Sequence, residues 1–211
     1  DCFGKGIVIY GGGVRYFANA WISISLLREL GCKLPIELWH LGEREIDSHM
    51  RGLLEPMGVT TRDAYEVRLD FPCRILNGWE LKPYSIIHSQ FAEIIALDSD
   101  NVVARDPTYL LEDPNYRETG VVFWPDRWEL QRDRLIWKYC EVAYQSEPEF
   151  ETGQIVINKE RCWQALHLTM WMNENSDFFY KHIHGDKETF HLAFRRMKKA
   201  YSMPSKPLRM V

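Results

Sequence analysis

The chain has 211 residues, 45% hydrophobic and 13% aromatic, enough for one domain that buries roughly 70% of its unfolded surface. Its 26 basic and 30 acidic residues are interspersed and leave a net charge of −4, so no basic field exists to hold nucleic acid or an anionic membrane. The five cysteines, Cys2, Cys32, Cys73, Cys140 and Cys162, are scattered without a C-x-x-C spacing, which argues against a disulfide scaffold or a zinc site and reads as buried thiols in a reducing, cytoplasm-like compartment.

In chain order, Gly6 to Tyr10 reads as a buried strand, Gly11 to Gly13 as a glycine turn, and Phe17, Ala20, Trp21, Ile24, Leu27 and Leu30 as one helix closed by Gly31. A second unit pairs a strand at Ile36 to Leu41 with a helix from Ser48 to Met57, ended by Gly58. Tyr65 to Leu69 reads as a third strand, and Pro83 to Phe91 as a helix with proline in its first turn. That helix feeds an apolar strand ending in Asp98-Ser99-Asp100. Beyond it, strands are expected at Gly120 to Trp124 and Gln154 to Asn158, and helices at Asp133 to Tyr144, at Arg161 to Met172 and from near Asp186. Such alternation predicts an α/β fold with a central, mostly parallel sheet flanked by helices. Residues 1–211 read as a single domain, with no apolar run of about 18 residues for a membrane span.

Side chains two apart in a strand share a face, so Asp98 and Asp100 read as a partial shell of hard oxygens for Mg²⁺ or Mn²⁺, which could hold a diphosphate. Solvated strand-end acids are the plainer alternative. The other candidates likewise cluster where strands end, the region in which open α/β sheets bind ligands. The Gly11–Gly13 turn with Arg15 and Tyr16 fits either a tight turn or backbone amides approaching a nucleotide. Lys82 fits a phosphate contact or an ordinary surface lysine. Asp126, within Phe123-Trp124-Pro125-Asp126-Arg127-Trp128, suits sugar hydroxyls beside aromatic faces, or a surface ion pair beside core tryptophans. Gly153 and Gln154 open an apolar strand, while Asp186 and Lys187 either cap a helix or face a ligand. His182 and His184 fit no zinc pattern and are expected in solvent.

Five blocks in register carry a resemblance: Trp79-Glu80-Leu81-Lys82-Pro83-Tyr84, Ile95-Ala96-Leu97-Asp98-Ser99-Asp100-Asn101, Phe123 to Trp128, Thr152-Gly153-Gln154-Ile155-Val156-Ile157 and Gly185-Asp186-Lys187-Glu188-Thr189-Phe190. From Gly6 to near Tyr201 the chain resembles a GT-A glycosyltransferase, specifically the fungal Golgi α-1,3-mannosyltransferases and their relatives, and more loosely the glycogenin-like retaining transferases. The resemblance implies a Rossmann-like GT-A fold. It also implies transfer of a hexose, with retention, from an NDP-sugar donor to a glycan acceptor with Mn²⁺ (or Mg²⁺). GDP-mannose is the first expected donor and UDP-hexose the second. Asp100 would bind metal, Asp98 metal or ribose, and Lys82 the donor phosphates. Asp126 and the Gly153 loop would contact the donor sugar, and Asp186 would lie near the anomeric carbon. Gly11, Gly12, Arg15, Tyr16, Gln154 and Lys187 complete the expected donor-binding set.

Members of such families usually supply a further metal ligand, a histidine, from a C-terminal segment. None stands between Tyr201 and Val211, as expected of a chain cut short at its C-terminus. The chain starts without Met, so a removed N-terminal anchor would place it in the Golgi lumen rather than a cytoplasm-like compartment. Two other activities share these features. A sugar-nucleotide pyrophosphorylase would add a lysine shortly after Arg15, and none lies between Tyr16 and Leu27. A silent carbohydrate-binding module would bind sugar without regard to metal or nucleotide.

Overall fold

The structure, a computed structural model, describes residues 2–204. The strands are β1 (Lys5–Tyr10), β2 (Ile36–His40), β3 (Val59–Asp63), β4 (Glu93–Asp98), β5 (Val121–Pro125) and β6 (Phe150–Asn158). They form one six-stranded sheet in the order β3-β2-β1-β4-β6-β5. The first four pair in parallel, and β6 runs antiparallel to both β4 and β5. Ile7, Val8 and Ile9 are all fully buried, because a parallel strand covered on both faces has no solvent side.

The helices are α1 (Gly13–Glu29), α2 (Ser48–Leu54), α3 (Ala64–Asp70), α4 (Leu81–His88), α5 (Pro114–Thr119), α6 (Ile136–Tyr139), α7 (Lys159–Glu174), α8 (Ser176–Phe179) and α9 (Lys187–Arg196). One face of the sheet packs on Tyr84 and Ile86 of α4, Leu166 of α7 and Phe190 and Phe194 of α9. The opposite face packs on Phe17, Ala20, Ile24 and Leu27 of α1. Beyond β5, Ser202 bridges to Val122, exchanging backbone hydrogen bonds with Val121 and Phe123.

The structure departs from the sequence-based expectations at three elements. Tyr65 to Leu69 lies in helix α3, and the third strand is the β-branched run from Val59 just before it. Asp63 makes the switch, since its carboxylate accepts from the Tyr65 amide at 2.9 Å as an N-cap. The helix expected over Asp133 to Tyr144 shrinks to α6. Glu141 takes φ 51, and Val142 N donates back to Trp137 O at 2.9 Å, closing the helix as glycine usually does. Finally, β4 ends at Asp98, so Asp100 sits in a turn rather than two along a strand. The thiols of Cys32, Cys73, Cys140 and Cys162 are buried as expected, whereas Cys2 is exposed.

That turn is secured from two sides. Ser23 of α1, 2% exposed, donates from Oγ to Asn101 O at 2.8 Å and to Ser99 O at 3.2 Å. Asn101 in turn donates from its side-chain amide to Gly153 O on β6. Ser23→Ala leaves buried carbonyls without their donor, so we expect a loss of about 1–2 kcal/mol in urea unfolding. Equal stability of mutant and wild type would show that the hydroxyl does not hold the turn.

Candidate functional site

A cleft of about 570 Å³ opens at the carboxyl ends of β1 and β4, where Tyr10 and Asp98 are paired neighbours. Because β6 runs against β4, its first residues reach the same end, bringing Glu151 and Thr152 into the wall. The start of α4 and the loop before α9 supply Trp79, Lys82, His184, Asp186 and Lys187.

Lys82 stands at the centre, only 8% exposed rather than on the surface. Its ammonium meets Asp98 Oδ1 at 3.0 Å and Asp186 Oδ2 at 3.3 Å, and donates to Thr152 O at 3.1 Å and Thr152 Oγ1 at 3.2 Å. Thr152 Oγ1 also donates to Asp186 Oδ2 at 3.2 Å. Burial works against the charged lysine, but the carboxylates of Asp186 and Asp98 outweigh it and hold its pKa above the ordinary value. Lys82 therefore stays a cation at any physiological pH. Burial pushes the Asp98 carboxyl up, and Lys82 only partly offsets that. Glu151 is likewise pushed up by burial, although both its oxygens accept from the Gly153 amide at 2.9 Å.

Asp186 sits at the N-cap of α9, yet its side chain makes no capping hydrogen bond. Its carboxylate turns to Lys82 and Thr152 instead, so capping is not its task. The Tyr10 ring lies 5.4 Å from Lys82 Nζ, and its buried hydroxyl finds no hydrogen-bond partner among the described residues. Burial and the nearby Asp98 push its pKa well up, keeping the hydroxyl a donor.

The cleft gathers Gly11, Gly12, Tyr16, Lys82, Asp98, Asp100, Asp186 and Lys187 from the sequence-predicted set. Gly11 takes φ +146, and a Cβ there would lie 3.0 Å from Ser99 Oγ; a Cβ on Gly12 would meet Glu45 at 2.3 Å. Close backbone packing thus requires both glycines. Asp100 is exposed and has no hydrogen-bond or salt-bridge partner among the described residues. His184 also lines the cleft, whereas His182, expected in solvent, is half-buried with its ring edge-on or tilted against Tyr139 and Phe178.

Arg15, Asp126, Gly153 and Gln154 do not line it. Arg15 is exposed on the first turn of α1, with its guanidinium 5.6 Å from the Tyr16 ring. Asp126 pairs with Lys187, which also meets Glu149 Oε2 at 2.8 Å. Gly153 lies in a bulge of β6, where Phe123 and Trp124 oppose Ile155 and Glu151. That bulge changes the alternation, turning Thr152 toward Lys82 while Gln154 opens onto a cavity on the other side, with Ile95 and Trp124. Sequence reasoning gave no role to Thr152, Glu151, Glu45 or Tyr10. Thr152 stood in a quoted block, but nothing local distinguished Glu45.

Several carboxylates, those of Glu45, Asp98, Asp100, Glu151 and Asp186, face the cleft against the ammonium groups of Lys82 and Lys187. Among the described residues no group of three His, Cys, Asp or Glu forms a metal cage. Asp98 and Asp100 both line the cleft and carry oxygens of the type Mg²⁺ or Mn²⁺ takes, although Asp98 already meets Lys82 and Asp100 lies in the turn beyond the strand. The question of a histidine up to Val211 falls, from residue 205, outside the described residues. No helix among the described residues is long and apolar enough to cross a membrane.

Two solved structures illustrate the fold. Mouse xyloside xylosyltransferase 1, in its apo form, superposes with a TM-score of 0.61 at 17% identity, over 95% of this chain and 85% of that one. Core-mannan synthase A from Aspergillus fumigatus, in a Mn/GDP form, superposes with a TM-score of 0.61 at 6% identity, over 94% and 72%. These neighbours have the GT-A fold, and the six-stranded mixed sheet flanked by helices is that fold. Alpha-1,2-mannosyltransferase MNN24 of Candida albicans is 27% identical over 94% of this chain, which spans 34% of that relative's length. Its name specifies an α-1,2 linkage where the sequence resemblance pointed to α-1,3. The profile of the family described as "Mannosyltransferase putative" matches residues 4–149 and 138–211. The chain belongs to this mannosyltransferase family.

Proposed function

We propose that the chain transfers mannose from GDP-mannose to a glycan acceptor, with retention at the anomeric carbon and with the help of a divalent cation. The observation that carries this reading is the buried Lys82 ammonium, held between Asp98 and Asp186 in an acid-lined cleft. UDP-hexose is the second donor to test. The name of the Candida relative favours an α-1,2 linkage over α-1,3.

In this reading Lys82 faces the donor diphosphate. Cleaving the bond from C1 to the leaving oxygen builds negative charge on that diphosphate, and a pre-positioned cation in a water-poor site stabilises charge as it develops. The excess of carboxylates would repel a bare diphosphate, so Asp100, with Asp98 beside it, would hold Mn²⁺ or Mg²⁺. Bound there, the cation would supply Lewis-acid stabilisation of the leaving group. Gly11 and Gly12 line the cleft where the nucleotide would lie. Asp186 faces the anomeric carbon, where it stabilises developing positive charge or orients donor hydroxyls. Asp126 acts through Lys187, which it holds at the cleft wall.

Asp100→Ala removes an exposed, unpartnered carboxylate, so the fold should survive while Mn²⁺-dependent GDP binding is lost. Calorimetric titration of GDP with and without Mn²⁺ tests this, and unchanged affinity would overturn the metal assignment.

Lys82→Met leaves the buried Asp186 and the half-buried Asp98 without their cation. We expect a destabilisation of about 3–5 kcal/mol together with loss of GDP affinity. The pH dependence has a definite sign: without Lys82 the folded-state pKa of Asp98 rises further above its unfolded value. Folded protein then binds the proton more tightly, so the deficit should shrink as pH falls through that raised pKa. Thermal melts across pH that show a constant deficit would refute the buried-pair account.

Asp186→Asn keeps shape but removes charge. Turnover should fall at least a hundredfold, about 3 kcal/mol of transition-state stabilisation, with GDP-mannose affinity within threefold of wild type. A turnover within a fewfold of wild type would exclude a catalytic role for this carboxylate.

A further inference from the structure

Trp79 belongs to the sequence block that carries Lys82. It is 56% exposed and lines the cleft. Unlike the other exposed tryptophans, this one lines the cleft, and it is held in place. Its backbone carbonyl accepts from Lys82 N at 3.1 Å, tying it to the first turn of α4. Its six-membered ring lies against Gly185, where an added Cβ would sit 2.7 Å from Cε3 and 2.9 Å from Cζ3. Gly185 takes φ +93, so glycine serves both the backbone turn and the room for the ring. Tyr180 and His184 flank the indole, with centroids 5.9 and 6.0 Å away.

A chain of contacts orders the cleft. Gly11 packs on Ser99, Asp98 and Asp186 both meet the Lys82 ammonium, and Gly185, next to Asp186, lies against the indole. The Asp98 end carries the carboxylate pair and the glycine turn suited to a charged nucleotide. The indole lines the same cleft, packed against Gly185, the chain neighbour of the Asp186 carboxylate. An apolar ring face beside a hydrogen-bond acceptor is the environment that suits a pyranose, whose C–H face stacks while its hydroxyls donate.

We infer that Trp79 is the acceptor platform: its exposed indole stacks on the hexopyranose residue that receives the transferred sugar, with Asp186 facing that residue's hydroxyls. This rests on the proposed donor site, but binding of the acceptor sugar can be measured apart from it.

The test titrates α-mannobiose into the full chain with and without GDP and Mn²⁺, for wild type, Trp79→Phe and Trp79→Ala, with folding checked by circular dichroism. Mannobiose affinity should fall about tenfold or more in Trp79→Ala and less in Trp79→Phe. GDP affinity, and the slow hydrolysis of GDP-mannose to mannose and GDP, should stay within twofold of wild type in both variants. In transfer assays the acceptor KM should rise with donor KM unchanged. Equal mannobiose affinity in all three proteins would overturn the inference, and so would a parallel loss of GDP affinity, which would put a nucleobase or the donor on the indole. If wild type binds mannobiose through Trp79 but binds no GDP, the donor-site reading fails and the platform stands.

Discussion

A lysine ammonium withdrawn from water is tolerable only when its surroundings replace the lost hydration, and four groups do this for Lys82: two carboxylates, a threonine hydroxyl and a backbone carbonyl. Those groups come from the end of β4, the start of β6 and the loop before α9, while the lysine comes from α4. Segments far apart in the chain are thus tied at one atom. The arrangement is mutually dependent, since removing the cation strands one buried and one half-buried carboxylate and moving any partner leaves the cation with an unmet desolvation cost. Position and charge at the bottom of the cleft are set by the same contacts.

The strand direction of β6 makes that arrangement possible. Were β6 parallel to β4, its first residues would lie at the far end of the sheet, and Glu151 and Thr152 could not reach the cleft. The bulge at Gly153 then changes which side chains face inward, giving Thr152 to Lys82 and sending Gln154 to the other face. Bulges beside active sites often re-aim a single side chain in this way.

Much of this was legible from local pattern. The buried runs of β1 and β4, the glycines after β1 and the apolar stripe of α1 follow directly from periodicity and from what glycine alone permits. The acids at 98 and 100, Lys82 and Asp186 were found because their spacing and place in the chain matched a shared order of blocks. What was not legible depends on contacts distant in sequence: the antiparallel direction of β6, the bulge, and the pairing of Asp126 with Lys187 rather than with the cleft. The exchange of strand for helix at Tyr65 turned on one carboxylate, Asp63, whose capping bond outweighs the β-propensity of the apolar residues after it. Lys82 looked like a surface residue because burial of a lysine is decided by partners that lie 16, 70 and 104 positions along the chain, at Asp98, Thr152 and Asp186.

The bridge between Ser202 and Val122 has a consequence for how copies of this chain meet one another. A sheet's outermost strand normally presents unpaired amide and carbonyl groups that can template a strand from another molecule. Here the amide of Phe123 and the carbonyl of Val121 are already engaged by Ser202, so much of β5 is shielded from edge-to-edge association. The opposite edge, β3, is five residues long and carries Thr60, Thr61 and Arg62, with the Thr61 hydroxyl accepting from Arg51 at 2.7 Å. Short and polar, it too is a poor template for a strand from a neighbour.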